Sequence, residues 1–312
     1  HKSAPCWQNS MGGDITLTGT LSNLAAPAGF VGESPDRTAD YGVITAGATS
    51  NCADATQDCY AVQLTGAGFG HRDATVDETL VAGTPTVAVG PSPRTRTLHI
   101  GASFADVPSS NIFYRFVETL LHNGVTGGCA TANSYCPGDG TLRKQMAVFL
   151  LKALDGHCFV PPSATGVFND VPASDPFAPW IEELASRGIT GGCAPNAFCP
   201  DGIVKRKQMA VFLLKTLLGS GYTPPAATGI FDDVPVDAFQ PFIEDLYNRG
   251  ITGGCAGGPP PLPISFCPEN PVTPGQMSAF LSKTHTLGLY RPYPAPEKWV
   301  GAACPALSTR RP

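Results

Sequence analysis

The chain has 312 residues, of which 14% are charged, and its formal net charge is −5. A weakly acidic chain lacks the cationic surface that nucleic-acid binding requires, so nucleic acid is not an expected partner. No apolar run in the sequence approaches the roughly 18 residues of a membrane-spanning helix, so membrane insertion is not expected either. The 35 glycines and 31 prolines indicate many turns and loops.

Residues 1–100 contain short alternating runs that are separated by Gly, Pro, Asn and Asp. This pattern predicts a small Ig-like β-sandwich. The predicted strands are Asp14–Ser22, Tyr41–Ala46, Cys59–Thr65, Thr84–Val89 and Thr95–Ile100. So few strands would leave an open sheet edge, to which a strand of another chain could add.

The next part of the chain repeats one unit three times, at intervals of about 64 residues. The motif Phe-x-Asp-Val-Pro begins at Phe104, Phe168 and Phe231, and Thr-Gly-Gly-Cys-Ala follows later in each copy. Repetition of this kind predicts that each unit buries its apolar face against its neighbours. The predicted boundaries are 101–162, 163–226 and 227–290 for the repeats, and 291–312 for a Pro-rich tail.

Each copy has the pattern of a helix, a cysteine loop and a second helix. In the first helix, apolar residues recur three or four positions apart, as expected for an amphipathic helix. An Asn or Asp precedes each first helix and a Gly follows it, which predicts caps at both ends. The predicted caps are Asn111, Asp175 and Asp237 at the start, and Gly124, Gly188 and Gly250 at the end.

The sequence contains 11 cysteines, most of them in close pairs. The spacing within the pairs varies, which suits disulfide-closed loops better than zinc knuckles, although zinc or reduced thiols remain alternatives. The predicted disulfides are Cys52–Cys59, Cys129–Cys136, Cys193–Cys199 and Cys255–Cys267. Cys6, Cys158 and Cys304 are left unpaired or bonded to another chain. Disulfides indicate an oxidising compartment, which is extracellular, the cell surface or the periplasm.

Between Phe104 and Leu289 the order of these motifs resembles the S-layer homology (SLH) family. The resemblance implies an all-α bundle of three repeats with pseudo-threefold symmetry, which makes the whole chain a multi-domain α+β protein. It also implies grooves that bind cell-wall-linked glycan and hold a protein to a bacterial envelope. The cysteine loops point to a disulfide-stapled bacterial subfamily. The prediction is a secreted protein that is extracellular or lies on the surface of a bacterium.

The resemblance also designates candidate glycan-binding residues in each repeat. Its aspartate falls on Asp106, Asp170 and Asp233, its helix aromatic on Phe116, Trp180 and Phe242, and its arginine on Arg143 and Arg206. The third repeat has Pro274 in place of the arginine, so the intact sets are Asp106 with Arg143 and Asp170 with Arg206. Simpler interpretations remain for each type: a turn cap for Asp, a core residue for the aromatic, and a solvated helix start for Arg.

These features predict a non-enzymatic structural protein that self-assembles into a surface layer or filament through its β domain, repeats and tail. The missing third arginine and the spare cysteines favour assembly. The alternative is an anchoring module that binds envelope glycan. The expected partners are thus a second copy of the chain or a glycan.

No catalytic motif occurs in the sequence, and no cofactor or metal is expected. Glu182–Glu183 and Glu244–Asp245 are neighbouring carboxylates that the helical pattern assigns to solvated faces. A further alternative is a copper-dependent polysaccharide-active enzyme, with His1 and either His71 or His99 as ligands.

Overall fold

The computed structural model describes residues 2–3, 6–9, 13–46, 48–83, 87–88, 93–156, 158–257, 264–290 and 306–307. The chain divides into two compact units. One comprises His1–Ser103 with Pro292–Pro312, and the other is Phe104–Arg291. Among the described residues, most of the strands lie in the first unit, and all but one of the helices lie in the second. The α+β class is therefore confirmed.

The strands are β1 (Lys2–Ser3), β2 (Cys6–Asn9), β3 (Ile15–Ala25), β4 (Phe30–Asp36), β5 (Thr38–Ile44), β6 (Thr49–Asn51), β7 (Tyr60–Gly66), β8 (Arg72–Ala82), β9 (Val87–Ala88), β10 (Arg94–Ile100), β11 (Ala256–Gly257), β12 (Ile264–Ser265) and β13 (Ala306–Leu307). The helices are α1 (Cys52–Ala55), α2 (Tyr114–His122), α3 (Arg143–Asp155), α4 (Ala178–Ser186), α5 (Arg206–Leu218), α6 (Gln240–Asn248) and α7 (Pro274–Thr284).

The largest sheet of the first unit is antiparallel, in the order β10-β8-β3-β5, with β9 beside β8. Two smaller sheets have the orders β1-β7-β4 and β13-β2-β6, and β13 runs parallel to β2. Large apolar side chains that alternate along the strands form the core. Its largest fully buried members are Trp7, Leu17, Tyr41, Ile44 and Tyr60.

Four of the five predicted strands coincide with β3, β5, β7 and β10. The run Thr84–Val89 lies partly outside the described residues. The alternating sequence pattern did not predict β4 or β8, although β8 lies in the middle of the largest sheet. Every second residue of β8 is buried, but one of these positions holds Glu78. A carboxylate at a core position interrupts the alternation of apolar residues by which a strand is recognised.

Glu78 is fully buried and hydrogen-bonded inside the first unit. It accepts a hydrogen bond from the Tyr41 hydroxyl at 3.0 Å and one from Arg96 Nε at 2.7 Å. Burial, aided by the negative charge of Glu78, raises the pKa of Tyr41, so this phenol stays protonated and remains a donor. The partners compensate for the desolvation of the carboxylate.

In the second unit, each repeat contributes a short first helix (α2, α4, α6) and a second helix (α3, α5, α7). The N-cap residues of α2, α4 and α6 are Phe113, Phe177 and Phe239, and none of them caps with its side chain. The predicted cap residues lie two positions earlier and hold the turn before each helix, since each carboxylate or amide oxygen accepts from the N–H two residues later, at 2.8 Å. The predicted caps are therefore misplaced by two residues. The three predicted glycines adopt the left-handed conformation, with φ between 66° and 70°. Leucines and other apolar side chains of all three repeats pack into one shared core, and a smaller cluster belongs mainly to the first repeat.

Three main-chain segments, one before each second helix, are joined in a ring. The N–H of Val204 donates to the carbonyl of Thr141, that of Val272 to the carbonyl of Val204, and that of Thr141 to the carbonyl of Val272. The three bonds measure 3.0, 2.9 and 2.8 Å. Each repeat therefore contacts both of the others at equivalent residues, and the last repeat closes on the first.

Candidate functional site

One aspartate in each repeat binds the main chain of the cysteine loop of its own repeat. Asp106 accepts hydrogen bonds from the N–H groups of Tyr135 at 2.8 Å and Cys136 at 2.7 Å. The equivalent donors are Phe198 and Cys199 for Asp170, and Phe266 and Cys267 for Asp233. All three predicted aspartates thus hold the loop in place, as the turn-cap interpretation expects.

These bonds fix a backbone conformation that an L-residue rarely adopts. The second cysteine of each loop has φ of 57° or 58°, which lies in the left-handed region. Partial desolvation disfavours the ionised form of Asp170, but the N–H groups of Phe198 and Cys199, together with the nearby Arg143 charge, outweigh it and lower the pKa of this carboxyl. Asp170 is therefore charged when it binds the loop.

Arg143 begins the second helix of the first repeat but binds the cysteine loop of the second. Its Nε donates to the carbonyl of Phe198 at 2.8 Å, and its guanidinium lies over the rings of Phe198 and Phe212. The residue is only 4% exposed. Burial lowers the pKa of Arg143, while the charge of Asp170 opposes that shift. The solvated-helix-start interpretation is wrong for this residue.

Arg206 makes the same contacts one repeat further along the chain. Its Nε donates to the carbonyl of Phe266 at 2.7 Å, and its guanidinium lies over the rings of Phe266 and Phe280. Its Nη2 donates to the carbonyl of Gly254 at 3.3 Å. The structure therefore brings Arg143 to the loop of Asp170 and Arg206 to the loop of Asp233, instead of pairing each arginine with the aspartate of its own repeat.

Among the described residues, Arg143 Nη2 has no hydrogen-bond partner although it is buried. Its counterpart in Arg206 is satisfied by a main-chain carbonyl. A buried cationic donor without a partner is costly, and an anionic group or a water molecule would compensate for it. The junction between the first and second repeats therefore differs chemically from the junction between the second and third.

A lysine follows each arginine and lies over an aromatic ring of the next repeat. Lys144 Nζ is 5.4 Å from the centre of the Phe177 ring, and Lys207 Nζ is 5.1 Å from that of Phe239. Both lysines are partly exposed and also pair with an acidic side chain, Asp201 or Glu269. Each of these two junctions between repeats therefore has a lysine in contact with a half-buried aromatic ring.

The third junction is built differently. Gly275 occupies the position of the lysines, and a Cβ added there would lie 2.5 Å from Cδ2 of Phe113. The Gly275 N–H donates to the carbonyl of Pro137, and the Tyr135 hydroxyl donates to the carbonyl of Pro274. The ring of the first repeat therefore packs directly on α7, at a junction without the cations of the other two.

The three predicted aromatics, Phe116, Trp180 and Phe242, are all half-buried. Trp180 packs against Phe159 at a ring distance of 6.0 Å, and Lys152 Nζ lies 5.8 Å from its ring. Lys152 is nine residues after Arg143 in α3, a rise of about 13 Å along the helix. Trp180 is thus separate from the basic junction, where the structure places Phe177 instead.

Two carboxylates that the sequence analysis assigned to solvated helix faces bind main-chain loops. Glu182 accepts hydrogen bonds from the N–H groups of Thr165, Gly166 and Val167. Glu244, only 3% exposed, binds Thr228, Gly229 and Ile230 in the same way. The motif Ala-Thr-Gly-Val/Ile-Phe, which recurs at both loops, is the sequence signal that could have indicated this role.

The neighbouring carboxylates also have partners. Asp245 is buried and accepts from Tyr222 at 2.8 Å and from Arg249 at 3.0 Å. Glu183 accepts from Arg187 Nε at 2.7 Å. The prediction that these two pairs are solvated faces is therefore wrong, since each carboxylate stabilises a loop or links a helix to a neighbouring segment.

The structure contains disulfides Cys52–Cys59, Cys129–Cys136, Cys193–Cys199 and Cys255–Cys267. Three of them close the cysteine loops of the repeats, which rules out these thiols as zinc ligands. Cys158 is an exposed free thiol. Cys304, His1 and the side chain of Cys6 lie outside the described residues.

A comparison with protein-family models matches one segment of the second unit. Residues 167–210 match the S-layer homology domain. The matched SLH segment contains Asp170, Trp180 and Arg206, and it runs from the second Phe-x-Asp-Val-Pro motif into α5. A search of curated proteins returned no match to the chain. None of the helices in the described part of the chain is long and apolar enough to cross a membrane.

Proposed function

We propose that this is a secreted, non-enzymatic protein of a bacterial cell surface, attached through Phe104–Arg291 to an anionic glycan linked to the cell wall. The SLH match supports cell-surface anchoring or association with an S-layer. We further propose that the three repeats form a pseudo-threefold bundle, which the ring of main-chain hydrogen bonds supports. For the first unit, the largest sheet and the antiparallel sheet β1-β7-β4 support an Ig-like sandwich.

The observation that carries this proposal is the grouping of cation and aromatic ring at two junctions. At the first, Lys144 lies over the half-buried ring of Phe177, and at the second, Lys207 lies over that of Phe239. Each lysine follows a buried arginine, Arg143 or Arg206. Aromatic faces pack on the apolar faces of sugars, and Arg and Lys bind acidic substituents.

Sedimentation with purified cell-wall fragments tests this proposal. Lys144→Ala combined with Lys207→Ala removes one exposed cation from each junction and leaves the buried arginines in place. Lys152→Ala is the matched control because it removes the same charge from α3 but next to Trp180. Circular dichroism and thermal unfolding check that all variants retain the fold.

We expect the double variant to bind wall fragments at least about tenfold more weakly than the parent protein, corresponding to about 1.4 kcal/mol, and Lys152→Ala to bind normally. Extraction of the wall-linked glycan from the fragments should abolish binding by the parent protein. Loss of binding only in Lys152→Ala would place the glycan at Trp180 and contradict the junction site. Undiminished binding to glycan-free fragments would contradict anchoring through glycan altogether.

A second candidate function is self-assembly into a layer or filament. The exposed thiol of Cys158 favours it, because an accessible cysteine in an oxidising compartment can cross-link two copies. Electron microscopy of unreduced protein, with Cys158→Ser as the control, tests this. Regular polymers that loosen in the variant would support assembly, whereas monodisperse particles in both samples would contradict it.

A further inference from the structure

Two histidines and an aspartate come together at two neighbouring strands of the first unit, with His71 immediately before β8. Asp73 in β8 lies directly opposite His99 in β10. His71 is two residues before Asp73 and therefore lies on the same face of the sheet. Asp73 Oδ1 is 2.7 Å from His99 Nδ1, and its Oδ2 is 3.1 Å from His71 Nε2.

The atoms that face one another in this group are the ones that ligate metals. The ligand atoms of the two imidazoles and the carboxylate lie within 4.8 Å of one another. Tetrahedral zinc with bonds of about 2.0–2.1 Å requires ligand atoms that are about 3.3 Å apart. The nitrogen–oxygen distances of 2.7 Å at His99 and 3.1 Å at His71 thus need to increase by about 0.6 and about 0.2 Å. The side chains of His71, Asp73 and His99 are 42%, 28% and 44% exposed.

The guanidinium of Arg72 does not occupy the space between the two histidines and Asp73. Arg72 lies between His71 and Asp73 in sequence, so its side chain projects from the opposite face of the strand. Its guanidinium lies over the ring of Phe30, 5.3 Å from the ring centre. Nothing in this strand therefore places a positive charge between the two histidines and the carboxylate.

We propose that His71, Asp73 and His99 form a Zn²⁺ site with two imidazole ligands and one carboxylate. Two neutral imidazoles and a carboxylate are a ligand set that zinc accepts, and their exposure leaves room for water as a further ligand. Bound zinc would link β10, an edge strand of the largest sheet, to β8. It would thereby stabilise the first unit independently of the glycan-binding junctions.

Zinc chloride titration of the full chain by calorimetry tests the site. The chain carries Cys158→Ser as background, so that this thiol cannot bind the metal. His71→Ala and His99→Ala each remove one ligand from the site. Asp77→Asn is the matched control, since Asp77 lies on the same face of β8 as Asp73. Its carboxylate accepts hydrogen bonds from Thr95 and Asn23, neither of which is a proposed zinc ligand.

We expect one zinc ion to bind with a micromolar or tighter dissociation constant and to raise the unfolding temperature of the first unit. Each histidine variant should weaken binding at least about tenfold, and Asp77→Asn should leave it unchanged. Replacing zinc with Co²⁺ should give the visible absorption of nitrogen and oxygen ligation, which both histidine variants lose. No saturable binding, or equal binding in all variants, would overturn the proposal. His71, Asp73 and His99 would then form only a hydrogen-bonded group.

Discussion

The guanidinium of Arg143 lies 4.7 Å from the centre of the Phe198 ring, while its Nε donates to the main-chain carbonyl of the same Phe198 at 2.8 Å. A single residue of the first repeat thus holds both the ring and the backbone of a residue in the second. Because these contacts cross a repeat boundary, the stability of each repeat depends on its neighbour.

Replacing this arginine should destabilise the second unit. Arg143→Met keeps an apolar stem but removes the charge-assisted hydrogen bond and the cation–π contacts with Phe198 and Phe212. We expect a loss of about 2 kcal/mol in the free energy of unfolding, measured by denaturant titration. Lys144→Met, next to it on the surface, should change that free energy by less than about 0.5 kcal/mol. Equal effects of the two changes would contradict the bridging role of Arg143.

At the third junction, we expect a glycine-to-alanine change to lower stability, although helix propensity alone favours alanine. Alanine is favoured over glycine inside a helix by about 1 kcal/mol. At Gly275, however, a Cβ would lie 2.5 Å from the Phe113 ring. We expect Gly275→Ala to destabilise the second unit by about 1–3 kcal/mol.

Gly253→Ala serves as the control, because nothing lies within 4 Å of its added Cβ and its φ is not positive. It should be close to neutral. If Gly275→Ala were as mild as Gly253→Ala, the packing of Phe113 on α7 would not be tight. Thermal unfolding of both variants measures the difference.

Glu182 and Glu244 form a matched pair for testing the loop contacts. Both accept hydrogen bonds from three successive N–H groups, but only Glu244 is fully buried. We expect Glu244→Gln to cost about 2–3 kcal/mol and Glu182→Gln roughly 1 kcal/mol, since a buried donor without a partner is penalised more than an exposed one. Chemical denaturation measures both, and the reverse order would contradict this account.

The same carboxylates predict a pH dependence of stability. Burial disfavours the ionised forms of Glu182 and Glu244, but the N–H groups of their loops outweigh it, so the pKa of each is lowered. A carboxyl whose pKa is lower in the folded state stabilises the fold above its unfolded pKa, about 4.3. That stabilisation is lost as the pH falls through the folded pKa.

The free energy of unfolding should therefore decrease when the pH is lowered from about 5 towards 3. The decrease should be shallower in Glu244→Gln, which cannot take up that proton. Urea titrations across this range measure the slope. An identical slope in the variant and the parent protein would show that Glu244 does not contribute to it.

The cysteine loops should stabilise the second unit through their disulfides. Replacing both Cys193 and Cys199 with Ser opens a short loop, and the chain-entropy argument predicts a loss of about 2 kcal/mol. Cys158→Ser alters an exposed free thiol and should have almost no effect. Equal unfolding free energies for the parent and the double variant would indicate that the Asp170 contacts alone hold the loop.

Local sequence determined the elements of the second unit. Three ordered copies of one motif, the helical spacing of apolar residues, and the polar residues Asn111, Asp175 and Asp237 before each first helix predicted its helices, because these signals depend on residues close together in the chain. The cysteine spacing likewise indicated closed loops. In the first unit, the same approach missed β8, because the buried Glu78 has its partners, Tyr41 and Arg96, on other strands.

Only the tertiary structure decided which residues of different elements meet. It brings Arg143 to the loop of the following repeat, and it joins Thr141, Val204 and Val272 in a ring. It also places His99 opposite Asp73. The physical reason is that these contacts depend on how the helices pack and on the register of the strands, whereas motif spacing specifies only neighbours along the chain.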